Sequence, residues 1–241
     1  MIRIGILGSR GRMGRAIAEQ IDATGGALAG GVDQGENPDT LAAMSDVLVD
    51  FSAPSALNRH IAAAEGAGIG LVVGTTGLAA GQHRLIDRAA ARIPILQAAN
   101  TALGVNLLAA LVRQAAERLG PDWDIEIVEM HHRHKLDAPS GTALLLGEAA
   151  AAGRGVTLDT VAARGRDGMG ARAAGEIGFA ALRGGSVAGD HLVVLAGEGE
   201  RIELGHRAES RAIFARGAIR AALWLAGRAP GRYAMADVLG L

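Results

Sequence analysis

The sequence predicts an α/β chain in two parts: a parallel sheet covered by helices on both faces, then an α+β segment with a mixed sheet. Three observations carry this prediction. Over the first hundred residues, short strands that are apolar on both faces alternate with helical stretches, the pattern of a fully covered parallel sheet. A glycine-rich turn stands between the first strand and the first helix. Beyond about residue 103 the alternation gives way to three strand-like runs at hairpin distances, which predict antiparallel members.

Residues 2–7 (IRIGIL) form the first strand, and Met13, Ile17 and Ile21 recur at helical spacing over 12–22. A second strand is expected from Leu28 to Asp33, then a short helix at 40–44 and a strand at 46–51 (DVLVDF). Pro54 suits a first helical turn, so a helix is expected from there to about Glu65. The run 69–74 (IGLVVG) predicts a strand, 79–92 a helix and 93–98 a strand. In the second part, 103–119 is a long apolar helix, 123–132 (WDIEIVEMHH) a strand, and a helix follows Ser140. A loop rich in Gly, Arg and Asp at 164–176 leads to strands at 176–183, 190–196 and 201–206. Residues 211–226 are helical and 235–241 form a short terminal element.

Composition narrows the function classes. A net charge of -1, with basic residues dispersed, argues against nucleic-acid binding, which needs a basic surface to displace counterions. With no cysteine there are no disulfides, thiolate nucleophiles or thiolate metal sites, which fits a reducing interior. The start MIRIGILGSR meets glycine too soon for a signal peptide, and no apolar run of about 18 residues predicts a membrane span. A cytoplasmic protein is the expectation.

The first chemistry-bearing motif is Gly8-Ser9-Arg10-Gly11-Arg12-Met13-Gly14, a G-x-x-G-x-x-G variant of the dinucleotide fingerprint, placed between strand and helix. Glycines let the backbone approach a pyrophosphate, and a helix N-terminus supplies N–H groups and a favourable dipole. Asp33 ends the second strand at the distance expected for an acid on the adenine ribose. Such a carboxylate accepts from the 2′- and 3′-hydroxyls of NAD and repels the 2′-phosphate of NADP, which favours NADH; Arg10 keeps NADPH open. A Rossmann-type nucleotide domain is therefore expected. Gly74-Thr75-Thr76-Gly77 closes another strand at its carboxyl end, the ligand edge of such a sheet, where small hydroxyls suit a nicotinamide ribose or ring; an ordinary strand-to-helix turn is the bland alternative.

The second motif is residues 129–144, EMHHRHKLDAPSGTAL, which holds three of the seven histidines and Lys135, the only lysine in the chain. If the strand continues past 132, His131 and Arg133 face one side and His132 and His134 the other. That pair can chelate a metal, but no third ligand stands at a matching spacing and the neighbouring cations disfavour a divalent ion. A basic docking patch is another reading. The third is chemical: Asp137-Ala-Pro-Ser-Gly-Thr reads as a helix start with Ser140 as cap, whose N–H groups suit an anion, with Lys135 as a point charge and a histidine to move a proton.

E-x-H-H-R-H-K-x-D-A-P-S-G-T-A resembles the signature of the 4-hydroxy-tetrahydrodipicolinate (dihydrodipicolinate) reductases of lysine and diaminopimelate biosynthesis. Gly8 to Arg15, GTTG at 74–77, AAN at 98–100, GVN at 104–106, IGF at 177–179 and ALWL at 222–225 match too, so the resemblance covers nearly the whole chain. It implies NAD(P)H-dependent reduction of 4-hydroxy-tetrahydrodipicolinate to tetrahydrodipicolinate, with His131 as general acid. It implies that Lys135 is catalytic too, holding a substrate carboxylate and helping to polarise the substrate, that His132 contacts it, and that Ser140, Gly141 and Thr142 bind a second carboxylate. Gly8, Arg10, Gly11, Arg12, Met13, Asp33, Gly74, Thr75, Thr76, Ala98, Ala99 and Asn100 would line the cofactor cleft. It also implies a dinucleotide-binding domain of 1–102 with 212–241, a substrate-binding and oligomerisation domain of 103–211, and a homotetramer; the spacing of the histidines already led to the expectation of no metal. The chain departs from the family in a short stretch between Asp33 and Asp46 and in TAL at 101–103, where an aromatic is common; both bear on cofactor preference. Two other readings stand beside it: another small amino-acid-pathway dehydrogenase on the same plan, and a nucleotide sensor without turnover. An aspartate-semialdehyde-type enzyme would need a cysteine.

Overall fold

The computed structural model describes residues 1–241. In chain order the first elements are β1 (Arg3–Leu7), α1 (Arg12–Gln20), β2 (Ala27–Val32), α2 (Pro38–Met44), β3 (Val47–Asp50), α3 (Leu57–Ala67), β4 (Gly70–Val73), α4 (Ala80–Ala90) and β5 (Pro94–Gln97). Then come α5 (Leu103–Leu119), β6 (Asp124–His131), α6 (Gly141–Gly153), α7 (Leu158–Val161), β7 (Ala162–Arg164), β8 (Ile177–Arg183), β9 (Asp190–Gly197) and β10 (Glu200–Arg207). The chain ends with α8 (Ala212–Leu225), β11 (Gly231–Tyr233) and α9 (Met235–Leu239). They fall into two compact units, Met1–Leu103 with Ala212–Leu241, and Gly104–Arg211.

The first unit is built on a six-stranded, all-parallel sheet in the order β11-β5-β4-β3-β1-β2. Its central strands are apolar on both faces because each face meets helices. Ile4, Ile6, Val49, Val72 and Leu96 pack with Ile17 of α1 and with Ala218, Ile219 and Leu225 of α8. The alternate residues Leu7, Leu48, Leu71, Val73 and Ile95 pack with Leu41, Leu57, Ile61 and Ile86 from α2, α3 and α4. Ile219 and Leu225 are fully buried, and burial of each stabilises the unit by about 2 kcal/mol. Pro54 opens a short 3-10 turn rather than the helix itself, and α3 begins at Leu57.

The second unit carries a mixed sheet in the order β10-β9-β6-β8-β7. One face is packed: Ile125, Ile127, Ile177, Phe179, Val193 and Leu195 meet Leu108 and Val112 of α5 and Leu146 and Ala150 of α6. The mixed sheet was expected, but its pairing corrects one detail. Only β9 and β10 form a hairpin; β8 pairs in parallel with β6 and β7, so β6 lies between β8 and β9. The reason is the turn 184–189, which bonds to the end of β6 rather than closing a hairpin: Gly184 N–H donates to His131 O (2.9 Å) and His132 N–H to Val187 O (2.8 Å). β7 and β11, three residues each, are too short to show a period in sequence. No helix is long and apolar enough to cross a membrane.

Candidate active site

In the first unit, β1 is followed by Gly8 at φ +83°, and a Cβ there would lie 2.8 Å from Phe51 O. A Cβ on Gly14 would lie 2.3 Å from Gly8 O, so the turn closes onto α1 only with glycine at both places. Gly11 is the N-cap of α1, and the first turn has neither a side-chain cap nor an acidic residue. Such an end offers its N–H groups and positive dipole to an anion. Next to it lies a cavity of about 510 Å³, within the range of small-molecule sites, lined by Gly8, Gly11, Asp33, Glu36, Ser52 and His60 among others.

Asp33 follows β2, and its Oδ2 accepts from Ser9 Oγ (2.7 Å) and Arg10 N–H (2.9 Å). The Arg10 side chain is exposed and pairs with Glu36. Arg12 is exposed, whereas Met13 leans onto the core. Gly74 to Thr76 follow β4 and Ala98 to Asn100 follow β5, at the carboxyl edge of the same sheet but not among the cavity's lining residues. Thr76 is exposed, but Thr75 is buried and its hydroxyl lies 3.1 Å from Asp50 Oδ1.

That contact belongs to a group sequence reasoning missed. Asp50, with no exposed surface, ends β3. It accepts from Ser52 N–H (2.9 Å) and Ser52 Oγ (2.6 Å), and His60 Nδ1 lies 2.8 Å from its Oδ2. An acid closing an otherwise apolar buried strand was the available signal. The network fixes the turn 51–53, one wall of the cavity.

In the second unit the strand ends at His131 instead of continuing, and 132–137 turn away from it. His131 and Glu129 therefore lie on the packed face of β6, and both are buried. Glu129, 1% exposed, is the hub. His131 Nδ1 lies 2.5 Å from Oε2, Ser140 N–H donates to Oε1 (3.1 Å), and Arg183 of β8 donates to both oxygens at 2.8 Å. Burial works to raise the Glu129 pKa, but the bonds and charges of Arg183 and His131 outweigh it and hold the carboxyl below the usual glutamate range. Ser140 caps α6, its Oγ accepting from Ala143 N–H at 3.1 Å. No acidic side chain occupies the first turn of α6, where Gly141 and Thr142 stand.

His191 of β9 completes this cluster. Its Nε2 is 3.0 Å from Ser140 Oγ and its ring meets that of His131 edge-on at 5.1 Å. Burial, reinforced by the neighbouring His131, pushes its pKa down to about 4. Lys135 Nζ bonds both oxygens of the exposed Asp137 at 2.8 Å, and this pairing keeps the Asp137 carboxyl below its ordinary value. Arg211 lies 3.1 Å from His132 Nε2, and the rings of His132 and His134 stand 6.3 Å apart. His132, His134, Ser186 and Arg211 line a second cavity, of about 450 Å³. Desolvation and then Arg211 lower the His132 pKa, so the ring is neutral near pH 7.

The chain matches the family models for the N-terminus (residues 2–101) and the C-terminus (residues 104–239) of dihydrodipicolinate reductase. It belongs to the dihydrodipicolinate reductase family. The 4-hydroxy-tetrahydrodipicolinate reductase of Zymomonas mobilis subsp. mobilis is 59% identical, with 100% of this chain and 98% of that protein covered. That of Parvibaculum lavamentivorans is 54% identical at the same coverage. Among solved structures, the dipicolinate-bound dihydrodipicolinate reductase of Paenisporosarcina sp. TG-14 shares the fold, with a TM-score of 0.79 at 23% identity over 98% of each chain. A probable dehydrogenase of Thermotoga maritima matches at 0.63 and 12% identity, over 98% of this chain and 92% of that one. The second unit's site also holds residues that sequence reasoning missed. Glu129, Arg183, His191 and Arg211 come from β6, β8, β9 and the segment after β10, and all but Glu129 lie far along the chain from the histidine motif.

Proposed function

We infer that the chain reduces 4-hydroxy-tetrahydrodipicolinate to tetrahydrodipicolinate with a nicotinamide nucleotide, in lysine and diaminopimelate biosynthesis. The carrying observation is the single buried carboxylate of Glu129, which holds both a histidine and the start of an anion-binding helix. A proton donor and a carboxylate cradle are thereby held in one network, as reduction of an anionic ring requires.

The first unit fits the cofactor: its Gly8 and Gly14 positions exclude a Cβ, and the uncapped start of α1 adjoins the cavity. Gly8, Gly11 and the N–H groups at Arg12 and Met13 hold the pyrophosphate, and Asp33 takes the ribose hydroxyls, which favours NADH. Thr76 and Ala98 to Asn100 border the nicotinamide, while Thr75 acts through Asp50. The bound nicotinamide supplies a hydride.

The second unit binds substrate. Glu129 engages Nδ1 of His131 and leaves Nε2 to donate the proton; Gly189 leaves room beside that atom, since a Cβ there would lie 3.0 Å from it. Lys135 exchanges the exposed Asp137 for a substrate carboxylate and polarises the ring. The second carboxylate meets the N–H groups of Gly141 and Thr142, in the turn that the bond from Ser140 N–H to Glu129 holds in place. His132, held by Arg211, contacts the substrate as a neutral ring. One hydride and one proton enter the substrate, and its hydroxyl departs as water. The sheet face away from the helices presents Val128, Met130, Leu182, Leu192 and Val194, an apolar surface suited to the expected homotetramer.

An oxidation assay with NADH and NADPH and freshly generated substrate tests the reading, with pyridine-2,6-dicarboxylate expected to inhibit. No turnover with either cofactor would overturn it. His131→Gln should lower kcat by about 10²–10⁴-fold in a folded protein; near-wild-type turnover would remove His131 from its role.

A further inference from the structure

Glu36, a residue that no sequence motif marks, stands at the adenine-ribose end of the first unit's cavity. It is anchored at both oxygens. Oε2 accepts from Asp33 N–H at 2.7 Å, and Oε1 pairs with the guanidinium of Arg10. Arg10 is also held from the other side, because its Nε lies 3.5 Å from Asp33 Oδ2. Arg10, a cation of the glycine turn, is thus shared between two carboxylates.

We propose that Glu36 is a specificity-determining residue: by holding Arg10 and adding a second negative charge beside Asp33, it biases the cavity against a 2′-phosphorylated adenosine. The inference rests on the nucleotide-binding role assigned to this unit and deepens it. A 2′-hydroxyl is neutral and donates to Asp33, whose Oδ2 is engaged by Ser9 and Arg10 and whose other oxygen faces no such demand. A 2′-phosphate brings close to two negative charges to a trio that already sums to minus one. It must also draw Arg10 away from Glu36 to find a counter-charge.

The bias is one of degree. Arg10 and Glu36 are largely exposed, so water and salt screen the repulsion. Arg59 also lines the cavity, 3.4 Å from Asn37 Oδ1, and leaves a cation within reach of a phosphate. Screened interactions of this kind correspond to about a tenfold preference. The contacts come from the stretch after β2, so the setting is local and open to single substitutions.

Calorimetric titration of the full chain with NADH, NADPH, 5′-AMP and 2′,5′-ADP tests the proposal without turnover. Glu36→Gln keeps an oxygen for Asp33 N–H but removes the charge. It should tighten NADPH and 2′,5′-ADP by about tenfold and leave NADH and 5′-AMP within about twofold. In Arg10→Ala/Glu36→Gln most of that gain should vanish, because the freed guanidinium is what the phosphate uses. An unchanged NADPH-to-NADH ratio in Glu36→Gln, with NADH still bound, would overturn the role of Glu36 alone. Equal gains for both cofactors would overturn it as well. Failure of the wild-type chain to bind either dinucleotide would overturn the nucleotide reading and the proposal together.

Discussion

His191 makes the stability of the second unit depend on pH in a calculable way. It is 6% exposed, and its pKa falls from the ordinary 6.5 to about 4 on folding. The folded chain therefore resists a proton that the unfolded chain accepts, so stability is fully present above pH 6.5 and is lost as pH falls toward 4. At about 1.4 kcal/mol per pH unit the whole window is worth about 3 kcal/mol, and about 2 kcal/mol of it falls between pH 7 and pH 5. The titratable groups around the ring are His131, Glu129, His206 and Lys135, with the Ser140 hydroxyl at hydrogen-bond distance. His191→Gln removes the titration and keeps an amide for Ser140. Urea unfolding of both proteins at fixed protomer concentration, at pH 7 and pH 5, should show the variant less stable at pH 7 and the gap closing by about 2 kcal/mol at pH 5. Parallel stability-against-pH curves would refute the argument, since they would mean that His191 titrates alike in the folded and unfolded chain.

Three further outcomes follow from the site. Glu129→Gln halves the charge-assisted bonding of Arg183 and loosens His131; stability should drop by about 2 kcal/mol and kcat by at least tenfold, with cofactor KM unchanged in steady-state kinetics. Lys135→Ala should raise substrate KM and slow turnover, and Lys135→Arg should recover only part of it, because a planar guanidinium replaces a compact ammonium; an effect confined to cofactor KM would contradict the placement of Lys135. Gly14→Ala puts a Cβ 2.3 Å from Gly8 O, so dinucleotide binding by fluorescence titration should weaken by more than tenfold, while inhibitor binding to the second unit persists.

Much of this was legible in the sequence for physical reasons that differ by element. The parallel sheet showed itself because Val47, Leu48 and Val49 are buried on alternating faces, which leaves an unbroken apolar run. His131, Lys135 and Ser140 stood out because the chemistry is packed into one short stretch whose helix cap has a local signature. Glu129 lay in that same stretch, yet its meaning depends on Arg183, which arrives 54 residues later. Arg211 is 79 residues from His132, and no periodicity links them. The parallel pairing of β8 was hidden too. A six-residue connection looks like a hairpin until the turn 184–189 is seen bonding to the end of β6. Thr75 shows the reverse limit: its position was legible, but the direction of its hydroxyl is set by Asp50, on another strand.

The return of α8 and β11 to the first unit has a consequence for how the chain matures. Residues 104–211 are contiguous and can close their core as soon as they leave the ribosome. The first unit cannot, since Ala218, Ile219 and Leu225 cover Val49 and Val72 only after the whole second unit has been synthesised. Until then α1 alone covers that face of the parallel sheet, and the part that α8 will cover stays bare, a surface that invites chaperones or aggregation. A chain halted after Arg211 would therefore hold a finished second unit and an incomplete first unit, although every residue of the glycine turn and of the histidine motif had already been made.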